Sequence, residues 1–201
     1  SALLGYSLEE ETYERLYASR AGTPNNEIRF LSAGDPATQL NTNTYSDLAF
    51  ASLFGRASYT YNSKYLFSAS VRRDGTSRLS EGKRYGIFPS VSVAWRIAEE
   101  SFMDNLGWLD ELKLRASWGL TGNVMSIDTY GTIASLTARN YPMNQQPSQG
   151  YTMSSAVNTD LQWESTEKKN LGLDITVFKN SLYLISDFYI QDTYDLLFTH
   201  P

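Results

Sequence analysis

The 201-residue sequence is 41% apolar, 13% aromatic and 19% charged, a balance too rich in apolar side chains for a disordered chain. Its 22 acidic and 17 basic residues leave a formal charge of −5 spread along the chain; with no basic block to collect phosphates, nucleic acid is a poor partner. Cysteine is absent and His200 is the single histidine, which removes disulfides, thiolate metal sites and a cysteine nucleophile and leaves His200 as a solvated residue.

No apolar run approaches the roughly 20 residues that a membrane helix needs. The first residues show no basic or apolar leader, so any export signal is expected outside this stretch. What the chain carries instead is alternation at period two, the mark of a sheet with two unlike faces. A weak opening strand is expected near residues 3–10, followed by a long polar loop over 11–48. Over 49–61, Ala51, Leu53, Gly55, Ala57, Tyr59 and Tyr61 share one face, while Phe50, Ser52, Phe54, Arg56, Ser58 and Thr60 share the other. Asn62, Ser63 and Lys64 tolerate tight-turn geometry. The next strand, 65–74, sets Tyr65, Phe67, Ala69 and Val71 against Ser68, Ser70 and Arg72, with Leu66 as a misfit.

After a loop at 75–84, residues 85–97 oppose Ile87, Pro89, Val91, Val93 and Trp95 to Phe88, Ser90, Ser92 and Arg96. The connection 98–111 reads as a short amphipathic helix, with Phe102, Met103, Leu106 and Leu109 at helical spacing, or as a simple cap over a barrel rim. Strand 112–121 opposes Leu112, Leu114, Ala116 and Trp118 to Lys113, Arg115 and Ser117. A second long polar loop fills 122–162. The last pair, 163–178 and 182–191, places Asp174 and Asp187 on polar faces and turns at 179–181. Tight turns thus fall at one end of an up-and-down antiparallel sheet and long loops at the other, as in outer-membrane barrels with periplasmic turns (62–64, 98–111, 179–181) and extracellular loops (11–48, 75–84, 122–162).

A soluble β-sandwich also alternates. Three features favour a transmembrane barrel: mid-strand charges on one face (Arg56, Arg72, Arg96, Lys113, Arg115 and Asp174) suited to a water-filled lumen or to a plug within it, aromatic residues near strand ends, and strands of about ten residues. Tyr59, Tyr61, Tyr65, Phe67 and Trp95 mark one interface, with Trp118 and Trp163 toward the other. Seven strands leave two open edges, and backbone in lipid must be paired, so a section of a larger barrel is expected. The ending Leu196-Leu197-Phe198, running on into Thr199-His200-Pro201, has no strand-final aromatic stop.

The run from Tyr61 through Asn123 carries a specific pattern: Arg73-Asp74-Gly75-Thr76-Ser77-Arg78, Phe88-Pro89-Ser90, Trp95-Arg96-Ile97 and Thr121-Gly122-Asn123. Trp163-Glu164, Asn170-Leu171-Gly172-Leu173-Asp174 and Asp195-Leu196-Leu197 continue it. This pattern resembles the barrel of SusC/RagA-type TonB-dependent transporters of the Bacteroidota. The resemblance implies an outer-membrane protein of a Gram-negative bacterium with a 22-stranded barrel. It also implies an amino-terminal plug that this stretch does not contain, coupling to TonB through that plug, a SusD-like lipoprotein lid and oligosaccharide or peptide cargo. Membrane lipid and lipopolysaccharide would surround such a barrel. No cofactor, metal motif or catalytic constellation accompanies it, and no enzyme is expected.

Candidate cargo contacts are the loop residues Tyr130, Asn140, Tyr141, Asn144, Gln145, Gln146 and Tyr151, since tyrosine faces stack on sugars and amides pair with hydroxyls. Each is otherwise an ordinary loop residue or a lid contact. Arg72, Arg73, Asp74 and Arg78 read as an ion-paired hairpin first, and as contacts to a plug or an anionic substrate second. A soluble or surface glycan-binding sandwich and a passive porin are the rival readings.

Overall fold

The computed structural model describes residues 1–143, 146–154 and 157–197. Among the described residues nine strands form in chain order: β1 (Ala2–Ser19), β2 (Leu40–Tyr61), β3 (Tyr65–Thr76), β4 (Tyr85–Arg96), β5 (Leu109–Asn123), β6 (Leu136–Met143), β7 (Gln146–Met153), β8 (Glu164–Val177) and β9 (Leu182–Tyr194). Seven make one antiparallel sheet in the order β1-β2-β3-β4-β5-β8-β9, a curled and open half-barrel, while β6 and β7 pair only with each other.

The alternation holds because register carries it from strand to strand. Tyr61, Tyr65, Trp95, Leu114 and Leu173 lie in one row across five strands, and Tyr59, Phe67, Val93, Ala116, Leu171 and Phe188 form the next. On this apolar face Ile87 is 63% exposed, Val93 48% and Phe188 67%. A sandwich would cover such a face with a second sheet. Here the sheet is single and its apolar rows are open, an area far larger than soluble monomers leave uncovered.

Several boundaries differ from the sequence expectation. The loop expected over 11–48 is mostly strand: β1 and β2 pair without interruption from Ala2↔Ala57 to Ser19↔Leu40, and the connection shrinks to residues 20–39. Two 3₁₀ turns sit within it, Leu31–Ala33 and Pro36–Thr38, the second capped by the Asp35 carboxylate accepting from the Ala37 N–H at 2.9 Å. The loop expected over 122–162 contains the β6–β7 hairpin. The helix considered for 98–111 does not form; the segment makes 3₁₀ turns, with backbone bonds from Glu100 to Ile97, Met103 to Glu100, Leu106 to Met103 and Leu109 to Leu106. So short a segment does not repay helix nucleation, and Phe102 stays 65% exposed.

The two tight turns give the strand tilt. The β2–β3 turn closes at Tyr61↔Tyr65, and the row through that pair reaches β8 at Leu173. The β8–β9 turn closes four residues further along, at Val177↔Leu182. Four residues at ~3.3 Å, set against four interstrand steps of ~4.8 Å, make the turns level when the strands lean by about 35°. That lean falls at the lower edge of the 35–45° range of membrane barrels.

Candidate functional site

The polar face is built by the same register. Arg56, Arg72, Arg96, Lys113, Arg115 and Asp174 come from five strands, and all six project on it. Between them runs a row of small polar side chains: Ser58, Ser68, Ser92, Ser117 and Asn170. Because hydroxymethyl groups are short, the row leaves a depression of about 370 Å³ flanked by Arg56 on one side and Lys113 and Arg115 on the other. A second depression of about 700 Å³ lies toward the loop end, between Arg72, Phe88 and Lys168.

The charges on this face are mostly neutralised in place. Arg115 binds Asp174 in bidentate fashion, with contacts of 2.7 to 3.0 Å, and reaches Asp187 on β9 at 3.2 Å. It does so across Gly172, where a Cβ would stand 2.7 Å from the guanidinium. Lys113 approaches Asp174 at 3.6 Å, and Asn170 donates to Asp187 at 3.1 Å. Arg56 has a serine partner instead, Ser68 Oγ at 3.2 Å. Arg72 holds Asp74 at 2.5 Å and Ser52 at 2.9 Å. The Oδ1 of Asn170 is buried without a hydrogen-bond partner among the described residues.

Clamps fix the tight-turn end. Glu100 accepts from the Tyr65 hydroxyl at 2.7 Å, from Lys64 at 3.0 Å and from the Trp95 indole at 3.0 Å. Those bonds, with that of Tyr65 foremost, hold its carboxyl at about 2, and the same contact raises Lys64. The carboxylate thereby orders the aromatic row Tyr61, Tyr65 and Trp95, whose rings stack at 6.3 and 6.4 Å. Arg96 is gripped by Glu111 at 2.7 and 3.0 Å and by Glu99 at 3.0 Å. Asp110 accepts from the Asn180 N–H at 3.0 Å, and the Trp108 carbonyl accepts from the Phe178 N–H at 2.9 Å. These bonds pin a turn in which Phe178, Lys179 and Asn180 all have positive φ. Glu100, Asp110 and Glu111 carry no signal in the sequence, since their partners lie on other strands and turns.

At the loop end, Leu79, Val124 and Ile127 form a small buried core with Phe50, Leu161, Trp163 and Leu197. Trp163, expected at a membrane interface, packs instead edge-on against Phe88 at 5.3 Å and donates to the Arg84 carbonyl at 3.1 Å. The charged run expected to form one ion-paired hairpin divides three ways. Only Arg72 and Asp74 pair; Arg73 lies over the Tyr85 ring at 4.1 Å on the opposite face. Arg78 donates to the carbonyl of Ile127 within the loop core.

Of the loop candidates, Tyr130 is separate from the others, its hydroxyl accepting from the Asp47 N–H at 3.2 Å. Asn140, Tyr141, Gln146 and Tyr151 lie together on the β6–β7 hairpin, with Tyr141 48% and Tyr151 66% exposed. The pairing Ala138↔Tyr151, Asn140↔Gln149 puts Asn140 and Tyr151 on one face, and Tyr141↔Ser148, Met143↔Gln146 puts Tyr141 and Gln146 on the other. Asn144 and Gln145 lie outside the described residues.

The family model described as "TonB dependent receptor-like, beta-barrel" matches residues 3–201. The chain is 35% identical over its whole length to TonB-dependent receptor P3 of Formosa agariphila, covering 20% of that protein. Over 73% of its length it is 36% identical to TonB-dependent receptor SusC of Bacteroides thetaiotaomicron, covering 15% of it. Among solved structures, the RagAB peptide transporter superposes on all of this chain with a TM-score of 0.88 and 32% identity, the match covering 22% of that chain. The RagAB peptide importer in its open-open state matches with a TM-score of 0.86 and 31% identity, again over all of this chain and 22% of that one. The chain therefore spans about a fifth of the length of the relatives it matches over its full length.

Proposed function

This chain belongs to the TonB-dependent receptor β-barrel family, as a SusC/RagA-type section of an outer-membrane protein of a Gram-negative bacterium, and from that premise we propose that the whole protein imports oligosaccharides or peptides with a SusD-like lipoprotein lid. In this reading the polar face lines the lumen, the apolar face meets lipid, the tight turns are periplasmic and the loops extracellular. The observation that carries it is the division of one uncovered sheet into a face with all six mid-strand charges and a face of open apolar rows. Water must fill one side and hydrocarbon the other for both to be stable.

The β6–β7 hairpin captures cargo or lid through Asn140, Tyr141, Gln146 and Tyr151, with Asn144 and Gln145 belonging to the same proposal. Tyr130, tied to β2, forms the fixed wall below them. Cargo then passes along the serine row and is released to the periplasm when TonB displaces the plug from this face. The likeness to a peptide transporter supports the peptide arm of this reading.

Residues 139–151 removed from the full transporter are expected to abolish uptake or lid binding while barrel assembly, followed by heat-modifiable migration on gels, persists. Unchanged uptake and unchanged lid binding would sink the loop proposal. Loss of uptake in cells lacking TonB separates this reading from a passive porin, for which uptake would continue.

A further inference from the structure

The outward face of β1 to β4 is apolar in every row from Tyr61 to Leu53 except at one position. Arg73 stands between Leu53 and Ile87 by register, with Tyr6 beyond Leu53 in the same row. Among the described residues it has no carboxylate within ion-pair distance, and its guanidinium carbon lies 4.1 Å from the centre of the Tyr85 ring. One row further out, Leu8, Ala51, Gly75 and Tyr85 align. The short side chains of Ala51 and Gly75 leave a notch of about 160 Å³ there, which Arg84 also lines. A Cβ at Gly75 would stand 2.4 Å from the Tyr85 ring, so the glycine lets the ring lie where it does. Arg84 spends its Nε on the Leu79 carbonyl at 3.2 Å and likewise has no carboxylate partner among the described residues. The register puts one outward carboxylate, Glu10, a row beyond Leu8.

Arg73 on the apolar band and Arg84 at the notch beside it, without acids of their own among the described residues, leave two positive charges for an anion to bind. Their planar forks match phosphate oxygens, and the Tyr85 ring holds one of them in position without neutralising it. A ligand at this height must also lay an apolar tail along Leu53, Ile87 and Val71, which excludes a small hydrophilic anion and suits an amphiphile. We propose that Arg73, Arg84 and Tyr85 form a site for the phosphate of an outer-leaflet glycolipid, whose acyl chains descend along the apolar rows. The site rests on the reading that this face meets lipid and that the loops are extracellular.

The test uses the full transporter reconstituted in phosphatidylethanolamine vesicles containing a minor fraction of outer-membrane glycolipid, either phosphorylated or phosphatase-treated, with bound lipid counted by native mass spectrometry. The wild type is expected to retain the phosphorylated form at least about tenfold better than the treated form. The double variant Arg73→Gln, Arg84→Gln is expected to lose that preference, and Arg73→Lys to keep part of it. Equal retention of the two glycolipids by the wild type overturns the site without any variant, and so does displacement of the glycolipid by millimolar inorganic phosphate. A fluorophore at Val93→Cys, quenched by brominated acyl chains, checks the premise separately: quenching with no glycolipid preference removes this site alone, whereas absence of quenching removes the lipid-facing reading as well.

Discussion

Adjacent positions on β4 should respond oppositely to the same charge. The outward side chains of this strand run from Trp95 at the tight-turn end to Tyr85 at the loop end, ten positions at ~3.3 Å each, or ~33 Å along the strand. Leaning by about 35°, that length rises ~27 Å, close to the apolar band of an outer-membrane barrel. Val91 then sits ~11 Å above the Trp95 level, within the middle of the band, and it is 49% exposed. Lysine there should cost about 2–3 kcal/mol, near the range for a cation at the midplane. Ser92 is the next residue, but it faces the serine row, and lysine at 92 should cost under about 1 kcal/mol, as for a substitution in contact with water. The contrast corresponds to roughly a ten- to hundredfold difference in the folded-to-unfolded ratio. Guanidinium titration of the full transporter in vesicles, read by heat-modifiable migration, measures it. Equal destabilisation by Val91→Lys and Ser92→Lys, or a greater effect at 92, would refute the assignment of the two faces.

Glu100 should remain ionised through mild acid. Its folded value of about 2 lies below its ordinary 4.5, so its contribution is present above the ordinary value and is lost only as pH falls through about 2. Trp95 fluorescence is therefore expected to stay flat from pH 7 to 4 and to shift in Glu100→Gln; a midpoint near 4.5 in the wild type would contradict the clamp. Gly172→Ala puts a methyl 2.7 Å from the Arg115 guanidinium and from Asp187 Oδ1. It should weaken the β5–β9 bridge by about 1 kcal/mol, the small figure reflecting the partial exposure of both side chains. Denaturant midpoints of the variant and of Asp187→Asn would test this, with additive losses counting against a shared contact. Lys179 sits at φ 56°, and Lys179→Gly should stabilise the transporter by about 0.5–1 kcal/mol by removing left-handed strain. An unchanged or lower thermal midpoint would show that the strain is absent.

Where the two faces meet different solvents, period two was written plainly in the residues, and strands β3, β4, β5, β8 and β9 lie close to where the alternation begins and ends. The paired stretch Glu11↔Leu48 to Ser19↔Leu40 was hidden because water on both sides imposes no difference between faces. The β6–β7 hairpin, exposed throughout β6, was hidden for the same reason. The clamps escaped for a topological reason: Glu100 with Lys64, or Asp110 with Asn180, become neighbours only once strand order is known. Trp163 carried a misleading signal, because an indole suits a membrane interface and a loop core equally well until its neighbours are seen. The Arg72-Arg73 pair is different, since its fate was already implied by the alternation that defined the strand. Consecutive residues on a strand point to opposite faces, so the two arginines were never able to share a partner. One charge belongs to the serine-lined face beside Ser52 and Asp74, and the other to an apolar surface that supplies no acid for it. A run of like charges in a strand therefore describes two chemistries at one height, and each has to be read with the row it joins rather than with its neighbour in the chain.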